Sequence, residues 1–145
     1  MKDIHSGMTA RVAIAASTYS ATTAPPAVDL QGFNAAEIVV NIGEGGIVFS
    51  NTNKVEFVLT HSDDGSTFAP VTVKDVLGVA AVTDGIVKTL AADHPAAAAY
   101  RLGYVGTKRY LKLQAKFSGT HGTGTALAAV VIAGEGHDSP QPDQV

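Results

Sequence analysis

Tyr110-Leu111-Lys112-Leu113-Gln114-Ala115-Lys116-Phe117 alternates without a break. Leu111, Leu113, Ala115 and Phe117 share one side, and Lys112, Gln114 and Lys116 share the other. Successive side chains of a strand point to opposite faces, so this is a strand with one face buried. Wound as a helix, the same residues would mix lysine and leucine around the whole cylinder. Working outward, Ser118-Gly119-Thr120-His121-Gly122-Thr123-Gly124 is turn chemistry and reads as the longer loop of a hairpin. It leads into Ala126 to Ala133, apolar on both faces, the pattern of a strand covered on each side.

Upstream, the same logic finds strands at Tyr100 to Val105, Ile86 to Leu90, Val71 to Val73, Val55 to Thr60, Glu37 to Ile42 and Arg11 to Ala16. Asp63-Asp64-Gly65-Ser66 and Ser50-Asn51-Thr52-Asn53 separate them as turns. Gly43-x-Gly45-Gly46 and Gly122-x-Gly124 read as hairpin loops, because strand rather than a helix N-terminus follows each and a phosphate loop needs the helix. Helix is confined to one short turn near Lys74 to Leu77 and another after His94, where the alanines at 96 to 99 are too few to nucleate more. Short strands at this spacing predict one all-β domain over 1–145, a β-sandwich. No internal repeat of 20–50 residues is evident, against a solenoid.

The 145 residues are 46% hydrophobic but only 6% aromatic, with no tryptophan and no cysteine. That excludes disulfides, thiolate metal sites and cysteine nucleophiles. A net charge of -3 with scattered lysines and arginines lacks the clustered basic face of a nucleic-acid binder. Lys108-Arg109 reads as a solvated strand end. The first residues are polar and not followed by an apolar run of signal-peptide type, and no stretch reaches the ~18–20 apolar residues of a membrane span. The expectation is a protein made in the cytoplasm of its producing cell, without membrane or nucleic-acid partners.

Catalytic chemistry finds little footing. His5, His61, His94, His121 and His137 form no H-x-x-x-H pair and read as solvated loop or terminal residues. His61-Ser62-Asp63-Asp64 holds the residue types of a nucleophile triad, but strand neighbours point apart and no G-x-S-x-G elbow exists. Counting an EF-hand calcium loop from Asp63 puts Lys74 where the closing glutamate belongs. The expectation is no enzyme, no cofactor and no metal. The chain ends, about 1–7 and 136–145, read as flexible arms, with Ile4, His5, His137, Pro140 and Pro142 as candidate assembly contacts. Pro140 and Pro142 favour an extended backbone able to lie along a neighbour.

Three segments stand in a telling order: Ala27 to Phe33 (Ala-Val-Asp-Leu-Gln-Gly-Phe), Val55 to Phe68, and Tyr100 to Leu113. With the segment from Ser118 to Ala133 and the proline-bearing tail, the chain resembles a family of small proteins encoded among the head genes of tailed double-stranded DNA bacteriophages. Some members of that class are capsid decoration, or cement, proteins. The resemblance implies a jelly-roll-like sandwich on the outer surface of a capsid, bound to the major capsid protein and to itself, as a homodimer or trimer. Other readings are a tail or head–tail joining component, or a carbohydrate-binding attachment module. The last lacks tryptophan for an aromatic platform.

Overall fold

The computed structural model describes residues 3–45, 48–92 and 97–145. Ten strands form two antiparallel sheets: β1 (Met8–Tyr19), β2 (Val28–Asp29), β3 (Phe33–Gly45), β4 (Lys54–Ser62), β5 (Ala69–Pro70), β6 (Val76–Leu77), β7 (Ile86–Leu90), β8 (Ala98–Tyr104), β9 (Tyr110–Ser118) and β10 (Thr125–Gly136). Sheet A runs β1-β10-β3-β8-β6, and sheet B runs β2-β9-β4-β5 with β7 also beside β4. Set the two-residue strands β5 and β6 aside, and β1 pairs with β10, β2 with β9, β3 with β8 and β4 with β7. First pairs with last and each inner pair follows, all antiparallel and divided between two sheets. That is the wrapped arrangement of an eight-stranded jelly roll.

Alternation builds the core. Leu111, Leu113 and Ala115 of β9 meet Val55, Phe57 and Leu59 of β4 within sheet B, and Ile38, Val40 and Ile42 of β3 with Leu127, Ala129 and Val131 of β10 close over them from sheet A. β1 departs from strict alternation at register shifts between Val12 and Ile14 and between Ile14 and Ser17. Ala13 and Ile14 are both buried there, as a bulge permits.

Four expectations need correction. Ser118 to Gly124 is not a hairpin loop, because β9 and β10 belong to different sheets and the segment crosses between them. Its turn chemistry is real, with positive φ at Gly119, Gly122 and Gly124, but turn chemistry does not say which sheet the next strand joins. Gly43 and Gly45 lie inside β3, where Gly45 pairs with Thr125. Val71 to Val73 is not a strand. Ala69–Pro70 makes the pairing with β4 instead, and Val73–Asp75 is a 3-10 turn boxed by the Thr72 and Asp75 side chains. The helical turn near Lys74 to Leu77 thus exists but starts and ends earlier. Of the turn placed after His94, residues 93–96 lie outside the described part, and Ala98 and Ala99 are strand. A second 3-10 turn, His5–Gly7, was not expected from the sequence.

Candidate functional site

Strand alternation makes the outer side chains of each sheet predictable from the inner ones. On sheet B the outer side carries Lys112, Gln114 and Lys116 of β9 and Lys54, Glu56, Val58 and Thr60 of β4. Lys54 reaches Glu56 at 2.7 Å and the Lys112 ammonium sits 4.1 Å from the centre of the Phe68 ring. On sheet A the outer side carries Ala126, Ala128, Val130 and Ile132 of β10. Val130 stands between Val12 of β1 and Val39 of β3, and Ile132 stands between Ala10 and Glu37. Val12 is 57% exposed, and Leu77, at the far edge, 58%. Exposed Asn41 stands beside Ala128 on this face, Arg101 Nη1 donates to Glu37 Oε1 at 2.8 Å near its middle, and Asp3 and Glu135 lie at its end. Nothing among the described residues covers the middle of the face.

At one end of that face the His5–Gly7 turn leans in, so that Ile4, Met8, Ala35 and Ile132 line a shallow cavity of about 490 Å³. Ile4 is 70% exposed. A larger cleft of about 660 Å³ lies between the Leu30–Gly32 turn, the start of β3 and the 105–109 loop. Its charged side chains are already paired: Arg109 holds both carboxylate oxygens of Asp29, at 2.8 and 2.7 Å, and Glu37 holds Arg101. The guanidinium keeps the Asp29 carboxyl below its ordinary pKa. Lys108 pairs with Asp63. Lys108 and Arg109, read as a solvated strand end, are therefore ion-paired there.

The triad-like run is taken apart by the strand. His61 turns inward, where its Nδ1 shares a 3.0 Å hydrogen bond with the Tyr104 hydroxyl. The Ser62 hydroxyl donates to Asp64 at 2.8 Å and accepts the N–H groups of Asp64 and Gly65. Asp64 in turn accepts the N–H groups of Ser66 and Thr67, which with the Ser62 hydroxyl hold its pKa far below the usual carboxylate range. The turn read from Asp63 to Ser66 is thus built by Asp64 bonding its own backbone. Among the described residues no three His, Asp or Glu side chains come together as metal ligands do. No helix among them is long and apolar enough to cross a membrane.

His121 corrects the reading of the histidines as solvated. It is 3% exposed, with Nε2 on the Ser118 carbonyl at 2.8 Å and its ring edge-on to Phe117 at 4.7 Å. Phe49 supplies the other wall, and no local pattern announces a contact between residues so far apart in the chain. His61 is likewise part-buried in β4, while His94 lies outside the described residues.

The expected assembly contacts gather at one edge. His5 Nε2 meets Asp143 Oδ1 at 2.9 Å, and that hydrogen bond, with the attraction of the carboxylate, raises the His5 pKa above its ordinary 6.5. His137 donates its N–H to the Gly32 carbonyl and sets Nε2 2.9 Å from Asn34 Oδ1. Pro140 and Pro142 are exposed beside Gln141, whose N–H donates to the Ser6 carbonyl at 2.9 Å. The two ends of the chain therefore lie against one another. The uncovered sheet A face was legible only as the two-sided apolar pattern of β10.

Compared with known proteins, the chain matches no protein-family model and no curated protein. Among solved structures it is similar to the SPBc2 prophage-derived protein YomS, with a TM-score of 0.44 and 12% identity over 87% of this chain and 91% of that one. A likeness at that level carries no argument about function.

Proposed function

We propose that the protein is a capsid decoration protein that self-associates through the outer face of sheet A and binds the outer surface of a tailed-phage head. The uncovered apolar face carries the reading. A solvated antiparallel sheet ordinarily shows polar side chains to water, as sheet B does. Contiguous exposed apolar surface of this kind marks an interaction site.

A second copy is the occupant that fits. The ion pair near the middle of the face, Arg101 with Glu37, is neutralised within one chain, so it sets no net charge against a second copy. The Ala and Val side chains at its centre permit sheet-on-sheet packing at about 10 Å. With strands about 4.8 Å apart and about 3.3 Å of rise per residue, the face from Ala126 to Gly134 across four strands spans on the order of 500 Å² per copy. Two such faces reach the roughly 1,000 Å² that a specific interface needs.

Support for the shell as the larger partner comes from the resemblance of the segments at 27–33, 55–68 and 100–113 to phage head proteins. A module that bridges neighbouring shell subunits stabilises the closed shell by mass action, and repeated contacts on a lattice add avidity. The polar chemistry of the chain is spent on turns and ion pairs, and we assign it no catalytic role. Purified protein should add back to shells that lack it and raise the temperature at which they break. Shells that take up none of it would overturn the reading.

A further inference from the structure

β1 is an edge strand of sheet A, and its free edge is served by the C-terminal tail. Ala10 donates its N–H to Gln144 Oε1 at 2.8 Å, and Gln144 Nε2 donates to the Ala10 carbonyl at 2.8 Å. A carboxamide is the side-chain counterpart of a peptide group, and here it meets one residue with both a donor and an acceptor, as a neighbouring strand would. Nearer the start of β1, the Ser6 carbonyl accepts the Gln141 N–H at 2.9 Å and the Ser139 hydroxyl at 3.3 Å. One residue before Ser6, His5 meets Asp143. The tail from Ser139 to Gln144 thus lies along the segment from His5 to Ala10.

This seat holds the tail with polar contacts alone. Pro140, Pro142, Asp143 and Gln144 are exposed, and no side chain beyond Gly136 is buried in the core. Exposed hydrogen bonds and an exposed ion pair contribute little net, while ordering the tail costs entropy at every residue. A segment held this way leaves its seat readily. The seat on an adjacent copy offers it the same partners, Ser6, Ala10 and His5, at no loss of contacts, and such exchange of an identical element is a low-cost link between chains.

We infer that the seat running from Ser6 of the 3-10 turn to Ala10 of β1 is a docking site whose occupant, in adjacent copies, is the C-terminal tail of the neighbouring chain. The link is separate from sheet A's outer face and does not require a capsid. Between copies held side by side, the effective concentration of a tethered segment reaches the millimolar range, comparable with that of the chain's own tail.

The chain contains no cysteine, so a disulfide trap is free of background thiols. Full-length Ser6→Cys and Gln141→Cys chains, each checked for wild-type circular dichroism, are mixed at about 1 mM, in the effective-concentration range above, and oxidised. The direct backbone hydrogen bond between these two residues places them within the reach of a disulfide. Exchange predicts a disulfide-linked Ser6→Cys/Gln141→Cys heterodimer several-fold more abundant than either homodimer. Heterodimer at or below about twofold over either homodimer, the ratio that random pairing of two equal single-cysteine chains gives, would overturn the proposal. A Ser6→Cys/Gln141→Cys double variant that closes only within one chain under the same conditions would overturn it too. Introducing Val130→Lys into both chains separates this link from the sheet A contact, because the heterodimer should persist.

Discussion

In sheet B, β9 shows Leu111, Leu113 and Ala115 to the core and Lys112, Gln114 and Lys116 outward, whereas β10 of sheet A shows Leu127, Ala129 and Val131 inward and Ala128, Val130 and Ile132 outward. Both sheets contribute to one core, so folding alone explains the inner sides and leaves the outer side of sheet A without a reason. Burying a side chain the size of Val or Ile is worth about 1.5–3 kcal/mol. Val39, Val130 and Ile132 are half-buried and hold part of that gain in reserve, and the lysines and glutamine on the outer side of β9 do not. On the proposed reading, that difference separates the sheet that meets water from the sheet that meets a second copy.

The shared core should give the largest response. Phe57→Ala removes a fully buried ring facing sheet A and should cost about 3–5 kcal/mol in denaturant unfolding. A loss below about 1 kcal/mol, the size of an ordinary surface change, would mean the two sheets do not share the core described. Next, Arg101→Glu sets a second carboxylate beside Glu37 on the outer face of sheet A. Self-association should weaken about tenfold, roughly 1.4 kcal/mol, and recover partly in high salt as the repulsion is screened. Unchanged association would place the contact elsewhere. On the opposite face Lys112→Ala should leave association untouched and cost at most about 1 kcal/mol from its lost position over Phe68. Weakened association there would erase the contrast between the two faces.

The smallest effect concerns the docked ends. The His5 pKa is raised in the folded chain, so its bond to Asp143 contributes fully below the ordinary 6.5 and is lost as pH rises through the folded value. Amide signals of residues 141–144 should therefore shift toward those of a free tail as pH rises across that window, and His5→Gln should remove the dependence. Asp64 titrates in the other direction. Its pKa is lowered, so its support of the 63–66 turn is present above the ordinary 3.8 and fades only in strong acid.

β9 was legible because its two faces contrast sharply, Leu and Phe against Lys and Gln. β1 was legible only from Arg11 to Ala16, because its bulges break the period of two at Ala13 and Ile14. β2, β5 and β6 have two residues each, too few for any period to show. The crossing at Ser118 to Gly124 looked like a hairpin, since local turn residues carry no information about which sheet comes next. His121 looked solvated for the same kind of reason: its burial depends on Phe49, brought from far along the chain. β10 announced that something covers both its faces. The fold supplies the inner cover, and in the proposed function a second copy supplies the outer one.

Sedimentation equilibrium of the unaltered chain beside Val130→Lys tests the role of the sheet A face most directly. We predict a dimer in micromolar solution for the unaltered chain and a folded monomer for Val130→Lys, whose ammonium would be buried without a partner at the centre of the contact. An unaltered chain that stays monomeric to millimolar concentration, or a Val130→Lys chain that dimerises as well as the unaltered one, would contradict it.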